Sequence, residues 1–458
     1  MNSRLQKWIG PKEFYQKTTR LAVPLSFQML LGSALSIVDT IMVSWIGMVT
    51  PVGTAAQVDT LCSMIAYGTI GGIAMFSAQF YGAHDTERLK KSFGLMIALS
   101  GLNALFWFIL AALFGYQICW FYMPDAAVCA NAMEYLSIFK YSFLLGSLSF
   151  SFSYMYRSIG QAKLPLLISI LTTVSNILLD LLLIFGAGPI PALGIKGAAL
   201  ASVIAQGIGL CTNILYAIIK RPSFIGSLKE MFTLPKNFVT PIFKKIGPLI
   251  LNETLFGFGT TLFTKAFGQL GTKAMDAYYV GNQIFNIFLF VVYGYGNAVS
   301  VLLGNLLGSG RIDRAKEECR YHLGLSLVFS AFLVILMILF AGNIVDLFSL
   351  NDPYTYTLAV QIVYVFAVKV SMRLFNFVIF SILKAGGESK IVQALDSGIL
   401  WIVGLPCAFI CVNVFGMTSI VLVLLITQLE QLVRLIFGMK EVLSDRWAKD
   451  LTVLVRNS

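Results

Sequence analysis

Apolar residues fall in long runs separated by short polar connectors that are often basic. Twelve runs can be separated, at about 20–46, 53–80, 93–117, 132–156, 163–186, 194–219, 245–270, 275–302, 320–342, 356–383, 391–413 and 416–438. A helix that crosses a bilayer needs about 20 predominantly apolar residues, so each run is long enough for one span. The pattern predicts an all-α polytopic membrane protein with twelve transmembrane helices. The first run is long, begins near Pro24 and lacks a small-residue cleavage site nearby, so it reads as a retained span and not a signal peptide.

The basic residues then set an orientation. Segments 1–20, 81–92, 157–163, 220–245, 308–320, 384–390 and 439–458 hold most of the 33 Lys and Arg residues. The opposite loops carry one clear base, Lys273. Cytoplasmic loops collect Lys and Arg, which predicts both termini in the cytoplasm of a multi-pass plasma-membrane protein. The longest polar connector, 220–244, divides the spans into six and six. The expected organisation is an N-terminal six-helix lobe at 1–219, a cytoplasmic loop at 220–244, a C-terminal six-helix lobe at 245–438 and a tail at 439–458.

Composition narrows the class. Of 458 residues 57% are apolar and 12% charged, and mean hydropathy is +0.81. Disorder is excluded, because it needs low hydrophobicity and high charge. So few charges cannot cover a soluble enzyme of this size. The net charge of +11 does not point to nucleic acid, since the bases sit where membrane topology puts them. No metal-site spacing, nucleophile elbow or phosphate loop occurs, so neither an enzyme nor a cofactor is expected. The seven cysteines lie mostly in apolar runs; Cys119 and Cys129 flank one outer loop, and free thiols are expected.

The two halves repeat. At an offset of 226 residues, Gly82 falls on Gly308, Arg88 on Arg314, Lys90 on Lys316, Gln57 on Gln283 and Gly160 on Gly386. With small gaps Pro24 meets Pro248 and Gln206 meets Gln428. Six spans per unit is an even number, so the two copies are related by a pseudo-two-fold axis along the membrane normal. Paired bundles of this kind suit alternating access, the geometry of a secondary transporter.

Ionisable residues at depth mark the candidate sites, because a charge at the centre of a span costs about 2.5–3.5 kcal/mol. Asp39 on span 1 and Asp180 on span 5 both lie ~10 Å below the outer surface at 1.5 Å per residue. Asn176 precedes Asp180 by four and shares its helix face. Ser202 on span 6 reaches a similar depth. Two carboxyls, an amide and a hydroxyl at one level fit a proton or Na⁺ site; the plainer alternative is that they only bind neighbouring helices. In the C-terminal half Glu253 and Arg373 lie at comparable depth, where they could pair, and Gln283 is a further polar candidate. Structural pairing and a coupling or substrate role stand level there. Pro24 and Pro248 each remove a helix hydrogen bond, giving either fixed kinks or bending points in the leading helix of each half.

At these residues the chain resembles the multidrug and toxic compound extrusion (MATE) family. The resemblance is carried by Ile37-Val-Asp-Thr-Ile-Met-Val-Ser-Trp-Ile-Gly47, Ala78-Gln-Phe-Tyr-Gly-Ala-His-Asp85, Arg157-Ser-Ile-Gly-Gln-Ala-Lys-Leu-Pro165, Asn176-Ile-Leu-Leu-Asp180, Gly194-Ile-Lys-Gly-Ala-Ala-Leu-Ala201, Gly304-Asn-Leu-Leu-Gly308 and Lys384-Ala-Gly-Gly-Glu-Ser-Lys390. It implies two lobes around a central cleft, and export of small organic, often cationic and lipophilic compounds in antiport with H⁺ or Na⁺. It assigns Asp39, Asn176 and Asp180 to cation or proton binding, with Ser202 beside them. It also matches Glu253 to a coupling glutamate of some branches. Those branches use a tenth-helix carboxylate where this chain has Lys369 and Arg373, which favours an N-lobe site. A lipid-linked saccharide flippase of the same superfamily is the alternative. A monomer is the expectation.

Overall fold

A helix that shows serines inward and leucines outward is built for lipid. In the computed structural model, α10 (Ile312–Leu339) buries His322, Ser326 and Ser330 while Leu327, Val328, Ile335 and Leu339 are each more than half exposed. Water on that face would oppose so much apolar surface, and a bilayer would not. His322, which the sequence places near a loop, is fully buried, with the Tyr295 hydroxyl 3.2 Å from its Nδ1.

The structure describes residues 8–122, 125–186, 188–189, 191–346, 348 and 352–453. Within them the chain is helical, with no strand. The long elements are α1 (Lys12–Ser44), α2 (Val49–Gly82), α3 (Thr86–Tyr122), α4 (Ala126–Ser158), α5 (Lys163–Phe185) and α6 (Ile195–Lys220). A short α7 (Leu228–Phe232) precedes α8 (Lys236–Gly268) and α9 (Thr272–Gly308). After α10 come a short α11 (Ala341–Asp346), α12 (Pro353–Ala385), α13 (Ser389–Val414) and α14 (Ile420–Leu443). Nine of these helices are long and apolar enough to cross a membrane among the described residues. The other three spans expected from sequence fall on α1, α4 and α8, each 33 residues long.

Two compact units form. Among the described residues, one runs through residues 27–250; the other joins residues 8–26 to residues 251–453. The sequence boundary at 220–244 follows the polar connector, whereas packing divides the chain inside two continuous helices, α1 and α8. Pro24 and Pro248 each lie two residues ahead of that division.

In the unit of residues 27–250, α3 packs on α4, α4 on α6, α2 on both α3 and α4, and α5 on α6. Buried Met42, Val58, Trp107, Tyr135 and Phe143 contribute to its core. The connector is docked, not free. α7 rests on α3, starts at a Ser227/Glu230 capping box, and ties Glu230 to Lys90 at 3.2 Å. The Ser227 backbone N–H, and then Lys90 and the Ser227 hydroxyl, hold the Glu230 carboxyl below its ordinary range.

In the other unit α12 is the central element, packed along α9, α10 and α14. Pro406 cannot donate to the preceding turn. The α13 helix around it opens into π-helical stretches at Ala394–Gly398, Leu400–Gly404 and Ile410–Val414. The first part of α1 lies against α9, where Ser26 donates its hydroxyl to the Val291 carbonyl at 3.3 Å. That approach needs Gly294, since a Cβ there would overlap the Ser26 backbone. Gly294→Ala is therefore expected to cost about 1–3 kcal/mol through overpacking. A lowered melting temperature of the purified variant in detergent checks it; an unchanged one removes the close contact from the account.

Candidate functional site

Helix continuity carries polar residues from five helices to one cavity of about 390 Å³ in the unit of residues 27–250. Three of the four N-lobe candidates line it: Asp39 from α1, Asn176 from α5 and Ser202 from α6. The fourth, Asp180, is buried beside it and hydrogen-bonded to Asp39. An ionised carboxylate only accepts hydrogen bonds. A direct bond between two carboxyls therefore contains at least one proton, and loss of that proton leaves two anions in contact. This is a place where a proton or a small cation has a strong reason to bind. The four residues predicted to share one level thus lie in or beside one cavity.

Two further members join them. Tyr135 of α4 is buried, hydrogen-bonded to Ser202, and feels the charges of Asp39, Asp59 and Asp180. Asp59 of α2 lines the same cavity. Both were legible in principle. Asp59 lies six residues into a span that enters from the outer side, which is the depth of Asp39 and Asp180. Tyr135 looks shallow when span 4 begins at residue 132; α4 in fact begins at Ala126 and puts it more than two turns in.

The C-terminal candidates separate. Glu253 on α8 sits 3.7 Å from Lys384, at the end of α12. Arg373 on α12 instead bonds Asp396 on α13 at 3.1 Å and stacks over the Phe256 ring. The expected Glu253–Arg373 pair is thus replaced by two pairs, because Asp396 lies deep in the packed unit and not at a span end. Asp396 is also 3.6 Å from Arg434 on α14 and accepts from Asn252 at 3.2 Å. Arg434 reaches the Asp396 carbonyl at 2.9 Å and Glu430 at 3.6 Å. Asp396, Arg373, Arg434 and Glu430 are all buried. Two cations beside two carboxylates balance one another's charge, which reads as a structural brace. Gln283 on α9 is exposed, and no hydrogen bond joins it to this cluster among the described residues. Lys369 lies over the Phe285 and Phe366 rings at 4.7 and 5.0 Å, a cation–π setting. Pro24 and Pro248 lie inside unbroken helices. Among the described residues no cluster of three or more His, Cys, Asp or Glu side chains is arranged to hold a metal ion.

Known proteins share this architecture. The MatE family profile matches residues 24–182 and again 248–410, and each match starts at one of the two prolines. An uncharacterized transporter of Bacillus subtilis, YisQ, is 26% identical over 408 residues, covering 86% of each chain. A probable multidrug resistance protein, NorM, of Thermotoga maritima is 24% identical over 411 residues, covering 88% of this chain and 87% of the relative. A crystal structure of a variant of the Vibrio cholerae MATE transporter VcmN superposes with a TM-score of 0.86 at 18% identity, covering 95% and 98% of the two chains. At that identity the likeness speaks for the fold.

Proposed function

Given that the chain belongs to the MatE family of membrane transporters, we propose that it is a secondary active exporter of small organic compounds, often cationic and lipophilic, driven by inward H⁺ or Na⁺. The observation that carries this reading is the Asp39–Asp180 carboxyl pair beside a drug-sized cavity. Arrival of the ion from outside neutralises the pair, with Asn176, Ser202 and Tyr135 supplying the surrounding oxygens and amide. A substrate cation in the same cavity draws on the same negative charge. Ion and substrate therefore compete, and the ion drives export as far as it binds the alternate conformers with different affinities. Each leading helix has its parts packed in different units just past Pro24 and Pro248, which suits bending there as the two six-helix lobes alternate. In this reading both termini are cytoplasmic, the membrane is the plasma membrane, the transporter is a monomer and no cofactor takes part. The Glu253–Lys384 and Arg373–Asp396 pairs hold the C-terminal lobe together. The lipid-linked saccharide alternative gains no support from the relatives.

The test is efflux of a fluorescent organic cation such as ethidium from proteoliposomes, with pH and Na⁺ gradients imposed separately. One of the two gradients is expected to drive efflux, and it names the ion; efflux driven by neither refutes coupled export. Pro24→Ala is expected to keep ethidium binding and slow the driven efflux, since it restores the missing helix hydrogen bond. Unchanged efflux in that variant makes the kink static.

A further inference from the structure

The connector after α6 carries six bases, Lys220, Arg221, Lys229, Lys236, Lys244 and Lys245, against one acid, Glu230. That acid is already engaged. Its carboxylate accepts from Lys90 on α3 and from the Ser227 backbone N–H and hydroxyl. Lys220, Arg221, Lys229 and Lys236 are exposed, and no carboxylate forms an ion pair with any of them among the described residues. The short α7 inside this connector also shows two large apolar side chains, Leu228 at 73% exposure and Phe232 at 43%. They stand one helical turn apart and share a face. The segment after α14 differs: it buries Trp447 and Leu451, each 1% exposed, where it passes Gly386 and Gly387, and leaves Val453 exposed.

The position of α7 on α3 gives its level in the membrane. The Met231 backbone lies directly on Gly94 of α3, where a Cβ would overlap the Met231 carbonyl. Leu105 follows Gly94 by eleven residues, about three turns, and so lies on the same helix face. It belongs to the outward stripe of α3 with Leu102, Ile109 and Leu113, each at least 45% exposed. Leu105 is also the midpoint of the apolar run 93–117. Eleven residues rise ~16 Å, and half of a bilayer's hydrocarbon core is ~15 Å. Gly94 thus sits on the lipid-facing flank of α3 at the edge of the core. α7, resting on Gly94, stands where the headgroup phosphates begin.

We propose that α7 and the bases around it form a binding surface for anionic phospholipid. Leu228 and Phe232 lie among the first acyl carbons, and Lys220, Arg221, Lys229 and Lys236 face the headgroup phosphates. Apolar side chains and cations together on one element are the two components of interfacial binding. Lys90 holds Glu230 against α3, which keeps the lone carboxylate from neutralising the bases. The surface does not depend on the exporter reading; it needs only a chain that spans a membrane.

The experiment places the full-length protein in phosphatidylcholine nanodiscs that contain some phosphatidylglycerol. Phe232→Trp puts a fluorophore on the proposed surface, and its emission is read as the difference from wild type; Leu228→Trp is a second reporter. Brominated acyl chains, which quench tryptophan on contact, are carried either by the phosphatidylglycerol or by an equal amount of the phosphatidylcholine. Quenching is expected to show phosphatidylglycerol enriched about fivefold around the reporter, the scale of one basic side chain at an anionic surface. Adding Lys220→Gln, Arg221→Gln, Lys229→Gln and Lys236→Gln to the reporter variant is expected to make the two lipids quench equally. Excess glycerol phosphate at constant ionic strength is expected to leave the enrichment intact. No quenching by either lipid, as when a soluble protein partner owns this face, overturns the proposal. So does equal quenching by both lipids without the four substitutions, a preference that survives them, or displacement by glycerol phosphate, which would make the ligand a soluble phosphate.

Discussion

Asp39→Asn is expected to abolish most gradient-driven efflux while leaving the protein folded and able to bind substrate. Asparagine has nearly the volume of aspartate and can still donate to Asp180, so the α1–α5 contact survives. What disappears is the second ionisable carboxyl, and with it the ability of the ion to bind the conformers differently. Couplings between sites are commonly 1–3 kcal/mol, which predicts a loss of roughly 5- to 150-fold in driven efflux. Asp180→Asn should give a loss of similar size. The double variant should be little worse than either, because the two carboxyls act as one unit. Initial rates of ethidium efflux from proteoliposomes at matched protein content check this. Additive losses would mean that the two carboxyls work independently.

The second large effect is expected in the C-terminal lobe, and on stability. Asp396 is the carboxylate that Arg373 and Arg434 share. Asp396→Asn leaves two buried guanidinium groups facing a neutral amide, with Glu430 the remaining carboxylate, 3.6 Å from Arg434. Removing one partner of a buried ionic cluster typically costs about 3–5 kcal/mol, since the remaining charge stays buried without compensation. A fall of about 3–5 °C in the melting temperature in detergent is expected on that scale for a chain of 458 residues. Glu253→Gln, by contrast, breaks a longer contact of 3.7 Å between partly exposed groups. It should cost about 1 kcal/mol or less. Thermal melting of the two variants side by side tests the contrast, and equal melting temperatures would remove the brace from the account.

The fold was legible in the sequence because lipid imposes one rule on every span. Runs long enough to cross had to be apolar, and connectors had to be polar, so all twelve runs coincide with helices or continuous helical segments. Span ends were not legible to the residue: α3 starts at Thr86 and α4 at Ala126, both ahead of their apolar runs, because charged and polar turns extend helices past the apolar stretch. The level shared by Asp39, Asn176, Asp180 and Ser202 followed from counting residues at 1.5 Å each. Asp396 and Arg434 escaped that counting because their pairing depends on how α12, α13 and α14 pack, which no single helix encodes. The division of the chain inside α1 and α8 also lay beyond a reading of loops. The prolines mark it, but a proline alone gives a kink and not the units on either side.

The central claim is that one carboxyl pair serves ion and substrate in turn. It is tested most directly by adding ethidium to the purified protein in weakly buffered detergent, while released protons and bound ²²Na⁺ are followed together. The account predicts that binding expels one of the two ions from the wild type and little or none from Asp39→Asn. Ethidium binding that displaces neither ion from the wild type, or displaces as much from Asp39→Asn, would contradict it.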